Sequence, residues 1–83
     1  MPEVEIGKVD DFFARPVVAG ITLTGTLNLG DKVHIKGHTT DLELIVTSMQ
    51  INNANVNIAK AGDAIGIKLI DRVRPGDKVY KVT

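Results

Sequence analysis

The sequence predicts an all-β fold, a small closed antiparallel β-barrel of about six to eight strands. Two observations lead to this prediction: apolar residues alternate with polar ones in most segments, and glycine-rich turn signals separate those segments. A third is the absence of a helical period, so we expect at most one helical turn. The length of 83 residues suits one domain, residues 1–83. Closure removes exposed sheet edges, and an open sandwich is the alternative architecture.

The strands are predicted from the alternation. Residues 17–29 have apolar side chains at the odd positions, which predicts one long strand or two, with a bulge or bend at Gly20 and Gly25. Residues 42–51 are apolar on both faces, which predicts a strand with a register change. Shorter alternating segments are 33–35 and 65–69. The residues predicted to be almost fully buried are Leu23, Leu27, Ile35, Val46, Ile67 and Val79.

Glycine followed by aspartate occurs three times, at Gly30, Gly62 and Gly76. Glycine tolerates the positive φ of a tight turn, and an aspartate side chain can bond backbone N–H groups two residues on. Each pair is therefore predicted to be a turn that starts a strand, and at least two of the glycines should have positive φ. The first inward residues of these strands should be Val33, Ile65 and Val79. Gathering the three aspartates around a metal would need a convergence that turns do not explain.

The charges balance at ten basic and ten acidic residues, but the end of the chain is basic. An independent nucleic-acid binder is usually basic overall, so any RNA affinity should be weak and dependent on salt. The cations that could meet phosphates are Lys68, Arg72, Arg74, Lys78 and Lys81. There is no cysteine, no signal-peptide pattern and no apolar run near the ~20 residues of a membrane span, so a cytoplasmic protein without membrane contact is expected.

Candidate chemistry is sparse. Residues 20–26 have the glycine spacing of a phosphate-binding loop, but the lysine that must follow the second glycine is missing. His34 and His38 are expected to be exposed strand and turn residues with no third metal ligand nearby. Asp10 and Asp11 are adjacent, so on a strand they should point to opposite faces and make a poor acid/base pair. The residues therefore predict no enzyme, no cofactor, no metal and no nucleotide.

Several short motifs in a fixed order resemble a known family. They are Thr24-Gly25, Leu29-Gly30-Asp31, Gly37, Ser48-Met49-Gln50, residues 61–66 and Gly76-Asp77. In this order and spacing, over roughly residues 5–83, they resemble the second, β-barrel domain of translational GTPases of the elongation factor Tu and initiation factor type. The resemblance implies a free-standing barrel domain without the GTPase domain. It would be a non-catalytic module that contacts tRNA, ribosomal RNA or a translation protein.

The resemblance also implies positions for the contact. In elongation factor Tu, an acidic pair followed by an aromatic residue lies beside the aminoacyl end of tRNA, and the loop after the long strand helps to hold the terminal adenosine. The matching positions are Asp10, Asp11 and Phe12 or Phe13, then Met49, Gln50 and the loop 52–55. The alternative function is a structural protein-interaction subunit with no RNA contact. A clustered basic face would favour RNA, whereas an exposed apolar patch without basic neighbours would favour a protein.

Overall fold

The computed structural model describes residues 3–15 and 17–82, and every regular element in them is a strand. The ten strands are β1 (Glu3–Ala14), β2 (Val17–Leu23), β3 (Leu27–Asn28), β4 (Lys32–Lys36), β5 (Asp41–Ile45), β6 (Met49–Ile51), β7 (Ala54–Asn55), β8 (Ile58–Ala59), β9 (Ala64–Lys68) and β10 (Lys78–Val82). The all-β prediction is confirmed. No helix in these residues is long and apolar enough to cross a membrane.

Eight strands form one sheet in the order β5–β4–β10–β1–β2–β9–β6–β7, and β3 pairs with β8 in a separate two-stranded sheet. All the pairs are antiparallel. Strand β1 joins the two halves of the sheet, because β10 pairs with its first residues and β2 with its last.

The predicted closure into a barrel is not supported, because the hydrogen-bonded ladder ends at β5 and at β7. Residues 42–51, predicted as one strand, form two strands separated by residues 46–48. The backbone of Val46 explains the break: its carbonyl accepts from Gly30 at 2.8 Å and its N–H donates to the carbonyl of Asp31 at 2.9 Å. Val46 therefore pairs with a turn and not with a strand.

Strand β1 was not singled out in the sequence, since two irregularities interrupt its period of two. The register shifts between Glu5 and Gly7 against β10, and between Val9 and Asp11 against β2. The bulge expected at Gly20 thus lies on the partner strand, opposite it. A bulge adds one residue to one strand and changes the face to which the following side chains point.

The core lies on one face of the large sheet, and the small sheet contributes Leu27 and Ala59 to it. The six residues predicted to be buried are each at most 1% exposed: Leu23, Leu27, Ile35, Val46, Ile67 and Val79. Full burial of one such aliphatic side chain contributes about 1.5–3 kcal/mol to folding. The prediction of the core is confirmed.

The three glycine-aspartate pairs form three copies of the same turn. Gly30, Gly62 and Gly76 have φ angles of 91°, 93° and 95°, so the prediction of positive φ is confirmed at all three. The aspartate bond differs from expectation, because the side chain accepts the N–H three residues before it instead of bonding two residues on. In each turn this N–H···Oδ2 distance is 2.8 Å, from Asn28, Lys60 and Arg74 to Asp31, Asp63 and Asp77.

Each turn also joins the backbone of a buried residue in another part of the sheet. The glycine N–H donates to the carbonyl of that residue at 2.8 Å, and the N–H of the same residue donates to the aspartate carbonyl at 2.8–2.9 Å. The residues bound in this way are Val46, Leu23 and Val9. The strands that follow the turns begin with Val33, Ile65 and Val79 buried, as predicted. The repeated motif is therefore structural.

Candidate functional site

A row of five paired residues crosses the outer face of the sheet from β1 to β7. Asp11 pairs with Gly20, Gly20 with Gly66, Gly66 with Gln50, and Gln50 with Asn55. Residues that pair directly across antiparallel strands project to the same face. The adjacent row contains the core residues Ala19, Ile67 and Met49, so this row faces outward. It carries side chains at its ends and none at its centre.

An open groove of about 630 Å³ lies over this row, and we name it the glycine groove because Gly20 and Gly66 form its floor. Carboxylates and an aromatic ring border it on the β1 side, and amide side chains border it on the side of the loop after β6. The bordering residues are Asp10, Asp11, Phe13 and Arg15 on the first side and Gln50, Asn52 and Asn53 on the second.

The fold itself does not demand glycine at the two floor positions. A Cβ added to Gly20 would lie 3.5 Å from Cβ of Asp11, and one added to Gly66 would lie 3.5 Å from Cγ1 of Val18. These are ordinary van der Waals contacts, and neither glycine has a positive φ. A side chain at either position would instead occupy the groove. Glycine inside a strand often marks a place where a ligand or another backbone approaches closely.

The two aspartates of β1 lie on the same side of the sheet. The expectation that they point to opposite faces is wrong, because the register skips Asp10 between the pairs Val9–Ile21 and Asp11–Gly20. Both side chains are exposed and both border the groove. Asp10 accepts a hydrogen bond from the hydroxyl of Thr22. Within residues 3–15 and 17–82, neither carboxylate takes part in an ion pair.

The amide side of the groove is held by the hairpin of β6 and β7. Asn52 and Asn53 have φ angles of 51° and 64°, and they connect the pair formed by Ile51 and Ala54. Two consecutive residues with positive φ make a type I′ turn, which asparagine tolerates better than most residues. Nε2 of Gln50 donates to Oδ1 of Asn55 at 3.0 Å. The turn was visible in the sequence as two asparagines, but its role as a groove wall was not.

The structure brings together only part of the predicted contact set. Asp10, Asp11, Phe13 and Gln50 border the glycine groove, and the Phe13 residue is 55% exposed. Phe12 packs against the core. Met49 is 1% exposed and belongs to the core, so it is not available for a surface contact.

The five predicted cations do not form one basic face. Lys78 and Lys81 lie on β10, where their ammonium groups are 3.9 Å from Glu5 and 3.3 Å from Asp31. Lys68 ends β9, which is separated from β10 by the two strands β1 and β2. Arg72 and Arg74 are exposed in the loop between β9 and β10. The basic face that would favour an RNA partner is therefore absent from the described residues as a single surface.

A separate ionic cluster surrounds His34 on β4. Its Nδ1 lies 2.6 Å from Oε2 of Glu3, and its Nε2 contacts Oδ1 of Asp41. Lys36 reaches the other oxygen of Glu3 at 3.2 Å. Hydrogen bonds to the carboxylates of Asp41 and Glu3 raise the pKa of His34, and the hydrogen bond from His34 lowers the pKa of Glu3.

The expectation that His34 is exposed is therefore wrong, since this residue is only 9% exposed. His38 is exposed, as expected. No cluster of histidines, aspartates and glutamates in the described residues has a geometry that could hold a metal ion.

Two curated proteins resemble the chain over nearly its whole length. An uncharacterized protease of Methanocaldococcus jannaschii is 47% identical over 79 residues, which cover 94% of this chain and 19% of that protein. A collagenase of Porphyromonas gingivalis is 32% identical over 81 residues, which cover 95% of this chain and 20% of that protein. The chain thus spans about a fifth of the length of the curated relatives it matches. No family model matches it.

Solved structures resemble the fold. The C-terminal domain of a protein from Geobacillus thermoleovorans, described as a U32 peptidase, superposes with a TM-score of 0.89 at 13% identity, covering 96% of this chain and 93% of that one. Its selenomethionine variant gives a TM-score of 0.85 over 90% of this chain and 95% of that one. The chain shares the fold of this C-terminal domain.

These comparisons overturn three predictions. The resemblance to the second domain of translational GTPases is wrong, because the relatives are named as a protease and collagenases. The function inferred from it, a translation-factor-like binding module, is wrong for the same reason. The prediction that the chain is not an enzyme is contradicted as well, because these relatives are named as enzymes. The shared motifs encode turns, and turns of this kind occur in many β folds.

Proposed function

We propose that the chain is a domain of a protease of the U32 or collagenase type and that it holds polypeptide within such an enzyme. The observation that carries this proposal is the 47% identity over 94% of the chain with a protease of Methanocaldococcus jannaschii. The shared fold with the C-terminal domain of a U32 peptidase is consistent with it. In such an enzyme, the glycine groove would hold part of the polypeptide substrate.

The composition of the groove supports polypeptide as the occupant. Peptide groups need donors and acceptors, and the amides of Gln50, Asn52 and Asn53 supply both. An exposed aromatic ring such as Phe13 suits an apolar side chain. Phosphates would meet the carboxylates of Asp10 and Asp11 at the same site, and like charges repel. The predicted RNA partner is thus disfavoured in the groove, although it stays a prediction for the rest of the surface.

The first test measures polypeptide binding by the chain itself. Fluorescein-labelled gelatin should increase in anisotropy on titration with the chain, in a saturable manner. Unlabelled gelatin should reverse the increase, whereas folded lysozyme at the same mass concentration should not. Absence of saturable binding would contradict the polypeptide-holding role.

The second test places the chain in a relative. The 81-residue segment of the Porphyromonas gingivalis collagenase that matches this chain is replaced by the chain, and gelatin hydrolysis is compared with that of a variant lacking the segment. We expect the chimera to retain hydrolysis that the deletion variant loses. A folded chimera that is as inactive as the deletion variant would contradict the assignment to this type of protease.

A further inference from the structure

We infer that the glycine groove binds an extended polypeptide segment that carries a lysine or arginine side chain, with the basic group placed at Asp10 and Asp11. The inference rests on the proposed function and adds the chemistry of the bound segment. It depends on three features of the groove: its unneutralised carboxylates, its glycine floor and its exposed aromatic side.

The carboxylates provide the first argument. The lining carries two acidic groups against a single cation, Arg15, and Arg15 forms no ion pair with either aspartate in the described residues. The bulge in β1 places Asp10 and Asp11 next to each other on one side. Two adjacent negative charges at the wall of a cleft create a field that attracts a cation. A guanidinium or ammonium group of a bound segment is the complementary charge.

The floor provides the second argument. Gly20 and Gly66 pair directly, so the centre of the groove is bare backbone. Neither the φ angles nor the packing of the two residues requires glycine, as the 3.5 Å contacts of an added Cβ indicate. Because these two residues have no side chains, a second backbone has space to lie close to the sheet. An extended peptide is the ligand that uses a narrow floor between two walls.

The aromatic side provides the third argument. Phe13 is 55% exposed and borders the groove two residues after Asp11 on β1. An apolar side chain next to the basic residue of the segment would lie against this ring while the basic group reaches the aspartates. On the opposite wall, Gln50 and Asn53 can bond the peptide groups of the segment. A phosphorylated or strongly acidic segment would be repelled.

The experiment uses two labelled peptides that differ at one position. Each is a glycine- and serine-rich peptide of about ten residues, because an extended chain covers about 3.3 Å per residue and the molecule is 30 Å across. One peptide contains Leu-Arg at its centre and the other contains Leu-Glu. Binding is followed by fluorescence anisotropy at low salt, where exposed charges are least screened.

We expect the arginine peptide to bind about fivefold to tenfold more tightly than the glutamate peptide, as two exposed charge contacts allow. The double variant Asp10→Asn with Asp11→Asn should lose most of this preference. The control variant Glu5→Gln with Glu43→Gln removes the same charge from outside the groove and should keep it. Gly66→Val should weaken both peptides, since its side chain occupies the floor. Phe13→Ala should also weaken the binding of both peptides. Ile45→Ala should not, because Ile45 is 50% exposed on β5, outside the groove.

Several results would overturn the inference. They are equal affinity for the two peptides, a preference that survives in the Asp10 and Asp11 double variant, or a preference that the control variant loses equally through net charge. If the chain binds labelled gelatin but neither peptide, the groove assignment fails and the proposed function stands. If it binds neither gelatin nor peptide, the polypeptide-holding role and the inference both fail.

Discussion

The two halves of the outer face of the large sheet differ in how their charges are neutralised. Five of the six ion pairs of the described residues lie in one half, formed by β5, β4, β10 and the start of β1. The sixth joins Lys81 of β10 to Asp31 in the turn before β4. None lies in the other half, formed by the end of β1 with β2, β9, β6 and β7. We name them the ion-paired half and the groove half.

Strand β1 belongs to both halves and makes the difference clear. Its first carboxylates, Glu3 and Glu5, each contact a cation, whereas Asp10 and Asp11 form no ion pair with any residue that the structure describes. The chain has ten basic and ten acidic residues, so the unpaired aspartates do not reflect a lack of cations. The ion-paired half is neutralised internally, and the groove half leaves its carboxylates available to another molecule.

The two halves also differ in the space that a glycine leaves for a side chain. Gly37, after β4, has no room for a side chain, because an added Cβ would overlap the carboxylate of the buried Asp77. Gly66, in the groove half, has room for one. Packing therefore explains one glycine, and open space for a ligand explains the other.

The largest expected effect tests this difference between the glycines. Gly37→Ala should lower the free energy of unfolding by about 2–4 kcal/mol, since it displaces Asp77 and its bond to the N–H of Arg74. Gly66→Ala should change it by less than about 0.5 kcal/mol. Urea denaturation of the two variants measures both values. Equal losses would mean that Gly66 is also fixed by packing, which would remove the argument from the glycine floor.

The next effect should be the same in both halves. Gly30 precedes β4 in the ion-paired half and Gly62 precedes β9 in the groove half, with φ angles of 91° and 93° and no atom within 4 Å of an added Cβ. Alanine at either position should cost about 1–2 kcal/mol through backbone strain alone. Asp31→Ala should cost about 0.5–1.5 kcal/mol through the lost turn bond. Clearly unequal losses at the two glycines would show that the turns are not equivalent.

The smallest effect is a pH dependence confined to the ion-paired half. The raised pKa of His34 means that its bonds to Asp41 and Glu3 stabilise the fold fully below the ordinary histidine pKa of about 6.5. This stabilisation should be lost as the pH rises through the raised value. The lowered pKa of Glu3 means that its own contribution is lost only in acid, as the pH falls through that value.

Urea midpoints of the wild type and of His34→Gln, measured from mildly acidic to alkaline pH, test this dependence. The gap between the two proteins should be widest in the mildly acidic range and should narrow as the pH rises. A gap that is constant across the series, or that widens in alkali, would contradict the raised pKa. His38→Gln is the matched control, since that histidine is exposed.

The sequence predicted the strands and the core better than the groove. Alternation identifies the inward residues, such as Leu27 and Ile67, because a period of two places them on one face whatever the topology. It does not identify the bulge that places Asp10 and Asp11 on the same side of the sheet, since the bulge depends on how β1 pairs with β2. Nor does it predict the pairing of Gly20 with Gly66, which are 46 residues apart along the chain and define the floor.

The predicted resemblance to translational GTPases was wrong for a physical reason. The motifs Gly30-Asp31 and Gly76-Asp77 form type II turns with a capping aspartate, and Leu29 and Pro75 occupy their second positions. Turns of this type start strands in many unrelated β folds. They carry information about turn geometry and none about partners.

The most direct test of the groove half as a binding surface is an amide NMR titration of the chain with the arginine peptide. The largest shift changes should fall on the row Asp11, Gly20, Gly66 and Gln50 and on the loop at Asn52 and Asn53. The amides of β4 and β5 should not change. Changes concentrated in the ion-paired half, or spread evenly over the sheet, would contradict the assignment of binding to the glycine groove.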